Sequence, residues 1–344
     1  MKLKKPTWWI LSLLAKLLMK ISVAGSRDNF KYTLLSSDNP IQNMIKLYPI
    51  QFITNVICTL FLITALVIIE KVISPVQRGF FCEDHSIMKP YVTKQTIPAW
   101  LLGVICAIFV LSVVSGTEYF VNSKKDELCK EQTGHIYIGN MKLKPWIYRI
   151  ISQLCFIFIG YIMNVLFTGI GKKCVGRLRP HFMSVCRPDY SKFNCSAGYI
   201  TADVCTTTNT ASLYQARLSF PSGHSSTSAY AAVVLALYIE YAIPVKRFYL
   251  IKPTTQFLSI CLGVACGFSR ISDYWHHWSD VLTGLVIGTV FACYTIFGLM
   301  KLHHTTSFNF IQVKRDADQQ NDIETGQPNT SYDNNERYYG TTTT

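Results

Sequence analysis

Six stretches of mostly apolar residues, at about 52–69, 97–119, 150–170, 225–243, 256–268 and 281–300, constrain this chain more than any other feature. A bilayer core of about 30 Å takes about 20 apolar residues to cross as a helix. Inside lipid the backbone must bond to itself, so helices are the form such stretches take. Their polar interruptions are few, with Asn55, Asn164 and Glu240 the clearest. The fifth stretch is the shortest and alone would suit a buried helix of a water-soluble protein; its five neighbours argue for a span. Only 15% of the 344 residues are charged and 49% are hydrophobic, whereas a soluble domain carries about 25% charged residues. That balance argues against disorder and against a small disulfide-stapled scaffold. The net charge of +13 accompanies a mean hydropathy of +0.23. Nucleic-acid binders are basic and polar rather than basic and greasy, so no nucleic acid is expected as partner. The expected fold class is an all-α integral membrane protein of six transmembrane helices.

The Lys/Arg distribution orients these spans. Residues 1–46 hold eight Lys/Arg, residues 118–146 hold five and residues 244–255 hold three. Both termini are therefore expected in the cytoplasm, with 70–96, 171–224 and 269–280 on the exterior or lumenal face. Residues 8–24 are apolar too, but Lys5, Ser12, Lys16 and Lys20 recur at spacings of 7, 4 and 4. One helical face of that kind reads as an interfacial amphipathic helix with snorkelling lysines. The competing reading is a secretory signal, made of Lys2, Lys4 and Lys5, the apolar stretch and the small residues Ala24-Gly25-Ser26; Lys16 interrupts it. The expected organisation is a cytoplasmic segment 1–46, a six-helix domain 47–304 and a disordered cytoplasmic tail 305–344, rich in Asp, Asn, Gln and Thr.

Two observations agree with this orientation. Asn194-Cys195-Ser196 is an N-x-S/T sequon in an outer loop, whereas Asn329-Thr330-Ser331 falls in the tail. Cys82, Cys186, Cys195 and Cys205 also lie in the outer loops. An even number in an oxidising compartment suggests disulfides, with three pairings open.

Chemistry-bearing residues gather in three places. Span three ends in Lys172-Lys173-Cys174-Val175-Gly176-Arg177-Leu178-Arg179-Pro180. Lys172 and Arg179, seven apart, share a face if the helix continues until Pro180 stops it. A basic flank would be ordinary on the cytoplasmic side, but this one lies outside. Span four begins with Pro221-Ser222-Gly223-His224. Ser222 suits an N-cap, Gly223 permits close backbone approach, and a helix start offers free N–H groups to an anion. Simple capping explains Ser-Gly equally well; it does not require His224. Between spans five and six runs Ser269-Arg270-Ile271-Ser272-Asp273-Tyr274-Trp275-His276-His277-Trp278-Ser279-Asp280. Asp280 is placed to accept from one nitrogen of His276 and leave the other as nucleophile. Arg270 offers forked donors to phosphate oxygens. A metal site of His276, His277 and Asp280 is disfavoured by the nearby cations and by the divergence of adjacent histidines on a helix. Tyr274, Trp275 and Trp278 read as interface aromatics. Counting crossings puts all three clusters on one face, a collection suited to a phosphate ester.

Lys172-x6-Arg179-Pro180, Pro221-Ser222-Gly223-His224 and Ser269-Arg270-x5-His276-x3-Asp280 resemble the three signatures of type 2 phosphatidic acid phosphatases. Residues 48–300 resemble a lipid phosphate phosphatase of the animal type, although many animal members carry Tyr where Pro221 stands. The resemblance implies a two-step hydrolysis with no metal and no cofactor. His276 would form a phosphohistidine, Asp280 would orient it, and His224 would protonate the leaving alkoxide. Lys172, Arg179, Arg270, Ser222 and Gly223 would hold the phosphoryl oxygens. The implied substrates are phosphatidate, lysophosphatidate, ceramide-1-phosphate and sphingosine-1-phosphate, so the partners are lipid phosphates and the bilayer. Homo-oligomerisation is left open. Roles in phospholipid metabolism and signalling follow, as do a plasma-membrane location, an extracellular active site and glycosylation at Asn194. The alternative is a non-catalytic membrane protein that binds lipid phosphates. Such a protein is expected to lose motif residues, and here Lys172, Arg179, His224, Arg270, His276 and Asp280 are all present. A transporter would carry more ionisable residues inside its spans than Glu240.

Overall fold

The computed structural model describes residues 40–122, 136–138, 141–143, 145–243 and 249–301. The expected amphipathic stretch 8–24, the tail and the second sequon lie outside these residues. In chain order the helices are α1 (Pro40–Val72), α2 (Ala99–Thr117), α3 (Pro145–Val175), α4 (Phe182–Cys186), α5 (Thr210–Ala216), α6 (Gly223–Ala242), α7 (Ile251–Ser272) and α8 (Trp278–Cys293). Two short strands, β1 (Ile136–Ile138) and β2 (Met141–Leu143), pair with each other and are the exception to an all-α reading. The chain divides into two units, Met1–Phe61 with Tyr137–Lys142 and Leu62–Ile136 with Leu143–Thr344. The first contains the N-terminal part of α1 and most of the β1–β2 hairpin. The three motif clusters lie in the second.

Each of the six apolar stretches falls on a helix, α1, α2, α3, α6, α7 and α8. Three helical segments among the described residues are long and apolar enough to cross a membrane: Ala99–Phe120, Arg149–Val175 and Trp278–Leu299. The fifth stretch is longer than its apolar run, because α7 starts at Ile251, with Pro253 in its first turn, and continues to Ser272. Ile68, Trp100, Ile108, Phe257, Leu262 and Val290 all face outward. Large exposed apolar side chains on so many helices suit a lipid-facing surface.

α6 lies at the centre, packed on α8, α7, α2 and α3. Its polar start can be buried because its neighbours approach closely. A Cβ on Gly284 of α8 would stand 2.5 Å from the Ser222 carbonyl oxygen, and one on Gly288 would collide with the Ser226 carbonyl and lie 2.8 Å from the Tyr230 nitrogen. Small residues at such contacts let helix backbones pack in the absence of a hydrophobic drive. The apolar core beside α6 joins Val114, Ile157, Tyr230, Val234 and Ile296.

Residues 73–98 and 176–222 form a separate cap with its own core, built around Phe80, Leu178, Phe182, Val185 and Ile200. Cys82–Cys195 and Cys186–Cys205 are disulfides, which selects one of the three pairings. Phe80 and Ile200 exchange backbone hydrogen bonds at 3.0 and 2.9 Å.

Candidate functional site

Lys172 sits in the last turn of α3, which ends at Val175 and not at Pro180. Gly176 adopts φ +57, and its N–H bonds to the Lys172 carbonyl at 3.1 Å. A left-handed glycine after the last turn is a common helix stop, so Lys172 and Arg179 do not share one continuous helix. Arg179 instead arrives on a loop, anchored by its N–H to the Ala216 carbonyl at 2.8 Å. Its guanidinium is buried, stacked 4.5 Å over Trp275, and Nη2 donates to the Leu218 carbonyl at 3.3 Å. Nε and Nη1 are buried without a partner. Burial lowers this guanidinium to about 9, opposed by Asp280, so it remains a cation at neutral pH. Orphaned buried donors of this kind call for an acceptor.

α6 starts where expected. Ser222 caps it, accepting from the Ser225 N–H at 3.3 Å. A Cβ on Gly223 would stand 3.2 Å from Lys172 Nζ, so the lysine ammonium lies over the open backbone of that first turn. His224 is half-buried and donates Nε2–H to the Ile97 carbonyl at 3.1 Å. A carbonyl only accepts, which fixes the tautomer and frees Nδ1. The charges of Arg270, Lys172 and Arg179 all act on His224.

The link between α7 and α8 brings the remaining groups. Asp280 is fully buried at the start of α8; its Oδ2 accepts from the His277 N–H at 3.0 Å. The expected hydrogen bond from His276 to Asp280 is not made. His276 Nδ1 donates to the Ser219 carbonyl at 2.7 Å, while Asp280 Oδ2 lies 3.8 Å away. The physical reason is competition: Ser219 Oγ donates to Oδ2 at 2.6 Å, and Arg177 Nη1 pairs with Oδ1 at 2.6 Å. This bond to a carbonyl still leaves one ring nitrogen, Nε2, unprotonated. Burial drives the His276 imidazole down to about 3, with Arg179 and Lys172 acting in the same direction and Asp280 against them. It is neutral at physiological pH. Arg270 is also buried, donating Nη2 to Asp273 at 2.6 Å and Nη1 to Gln95 at 3.0 Å.

Lys172, Gly223, Arg179, His276 and Asp280 are thus linked by contact or by mutual electrostatics, with His224 and Arg270 adjoining. Sequence reasoning passed over Arg177 and Ser219, which hold Asp280. Arg177 sits in the quoted basic run, two residues before Arg179, but nothing in the spacing pairs it with a carboxylate 103 positions away. Trp275 also corrects an expectation. It supports Arg179 and donates Nε1–H to the Val92 carbonyl at 3.2 Å, whereas Trp278 is 69% exposed, as an interface aromatic would be. His277 donates to the Leu178 carbonyl at 3.0 Å, so the adjacent histidines engage different backbone groups. Asn194 is exposed beside the Cys82–Cys195 disulfide.

The sequence profile of the PAP2 superfamily matches residues 153–302. The chain is 37% identical to Phospholipid phosphatase 2 of Rattus norvegicus over 242 residues, 70% of this chain and 83% of the relative. It is 37% identical to Phospholipid phosphatase 1 of the same species over 261 residues, covering 75% and 87%. Phospholipid phosphatase 2 of Homo sapiens is 36% identical, covering 70% and 80%. No solved structure matches the chain.

Proposed function

The chain belongs to the PAP2 superfamily, and from that membership we propose that it hydrolyses lipid phosphomonoesters at the Arg179–His276 site. One observation carries the reading: a buried arginine with two partnerless nitrogens lies in the same electrostatic cluster as a buried neutral histidine whose Nε2 is unprotonated. The proposed substrates are phosphatidate, lysophosphatidate, ceramide-1-phosphate and sphingosine-1-phosphate. Helices α1, α2, α3, α6, α7 and α8 cross the membrane as one domain, 47–304. The preceding segment 1–46 and the tail 305–344 are cytoplasmic, and the site faces the exterior or a lumen. The location proposed is the plasma membrane, with Asn194 glycosylated.

In the first step the His276 Nε2 lone pair attacks phosphorus. The ester P–O bond breaks, and the leaving alkoxide takes a proton from Nδ1 of His224, which enters this step as the imidazolium, its second proton held once the anionic phosphoryl group offsets the nearby cations. General-acid help of this kind contributes about 10²–10⁴-fold. The positive charge gained by the His276 ring is met by Asp280 at 3.8 Å and by the Ser219 carbonyl. Lys172, Arg179 and Arg270, with Ser222 and the Gly223 N–H, hold the phosphoryl oxygens and oppose the charge that develops on them. In the second step His224, now neutral, takes a proton from water as the oxygen attacks phosphorus. The P–N bond breaks, and inorganic phosphate and neutral His276 are released.

The test is phosphate release from lysophosphatidate by membranes containing the protein, with EDTA present. Release is expected from the wild type and not from His276→Ala. Quenched wild-type protein should carry an acid-labile phosphoryl group that the variant lacks. Turnover by His276→Ala at the wild-type rate would remove the nucleophile assignment; lipid binding without release would favour the binder reading.

A further inference from the structure

Three successive residues just before α2, at 95–97, reach the site from the cap, and neither the motifs nor the family match singles them out. Gln95 Oε1 accepts from Arg270 Nη1 at 3.0 Å. Thr96 donates twice to Asp273, from its N–H to Oδ2 at 2.9 Å and from Oγ1 to Oδ1 at 2.7 Å. The Ile97 carbonyl accepts from His224 Nε2 at 3.1 Å. Asp273 in turn holds Arg270 Nη2 at 2.6 Å, and Ser269 Oγ accepts from Nε at 3.2 Å.

A guanidinium carries five N–H hydrogens. Three of those on Arg270 are taken by Ser269, Gln95 and Asp273, which leaves one on each terminal nitrogen. The protein acceptors therefore fix the plane of the fork and decide which hydrogens remain for a ligand. Both terminal nitrogens depend on the 95–97 segment, Nη1 directly and Nη2 through Thr96 and Asp273. A buried arginine without such bracing would be free to rotate about its side-chain torsions, and a misplaced cation loses most of its value to a phosphoryl group.

Resting on the phosphatase reading above, we infer that Gln95 and Thr96 are positioning residues that aim Arg270 at the bound phosphoryl group, while the same segment holds His224. The strap links the two groups expected at opposite ends of the reaction, phosphoryl binding and leaving-group protonation.

The experiment measures inorganic phosphate affinity by calorimetry on the detergent-solubilised full chain, alongside hydrolysis of a short-chain phosphatidate. Gln95→Ala and Thr96→Val should each weaken phosphate binding roughly tenfold, the usual order for losing one hydrogen bond to a charged group. They should raise KM more than they lower kcat. Thr96→Ser, which keeps the hydroxyl, should restore wild-type affinity. In an Arg270→Ala background Gln95→Ala should cost about twofold or less, because its partner is gone. An unchanged affinity in Gln95→Ala, failure of Thr96→Ser to restore binding, or equal costs of Gln95→Ala with and without Arg270 would each overturn the inference. Phosphate binding without turnover in the wild type would remove the phosphatase reading while the affinity cycle still judged the strap. Absence of both would remove both.

Discussion

Arg270 gives one terminal nitrogen to Asp273 and the other to Gln95, whereas Arg179 keeps Nε and Nη1 without acceptors. The two cations thus differ in how much charge and how many donors they bring to an anion. Arg270 is paired with the Asp273 carboxylate, and the proposed phosphate contact falls more heavily on Arg179 and Lys172. Replacing Arg179 with Lys keeps the charge and discards the fork, which matters at a planar, multidentate site. Arg179→Lys is expected to lower kcat/KM by roughly 100-fold and Arg270→Lys by roughly tenfold, measured on one soluble phosphomonoester. The buried histidines make a second prediction. Burial holds His276 down to about 3 and His181, which donates to the Tyr274 carbonyl at 2.8 Å, down to about 4. Unfolded, both return to about 6.5. Below that value the unfolded chain binds more protons than the folded one, so stability falls with pH. The unfolding midpoint should be level above about pH 6.5 and decline toward about pH 4. His181→Gln should make the decline shallower.

At the level of helices, the site depends on how closely α8 lies against α6, since the Ser222 N–H bonds to the Asp280 carbonyl at 3.0 Å. Gly288→Ala would force a Cβ into the Ser226 carbonyl and is expected to destabilise the protein by about 1–3 kcal/mol, read as a lower unfolding midpoint. Gly223→Ala should cost less stability, because the neighbour at 3.2 Å is the flexible tip of Lys172. Much of this arrangement was legible in the residues. The apolar stretches located the helices, and motif spacing picked out Arg179, His224, His276 and Asp280. What could not be read was geometry that depends on distant partners. The end of α3 turned on a left-handed Gly176, and span five ran past its apolar segment into polar turns. Arg177 and Ser219 displaced His276 from Asp280 through contacts 103 and 61 positions apart. No local pattern reports such competition, and the same holds for Gln95, which meets Arg270 across 175 positions.

For the whole molecule, the proposed orientation puts the site outside the cell. Intact cells expressing the protein are then expected to hydrolyse a membrane-impermeant lipid phosphate, and His276→Ala cells are not. Activity seen only after permeabilisation would reverse the topology. The cap that carries Gln95, Arg177, Arg179 and Ser219 is cross-linked by Cys82–Cys195 and Cys186–Cys205, and disulfides of this kind persist in secretory rather than cytosolic surroundings. On the proposed orientation, covalent closure of the cap takes place in a compartment where thiols oxidise. Phosphorylated lipids and metabolites on the cytosolic side lie, on the proposed topology, beyond the reach of the site.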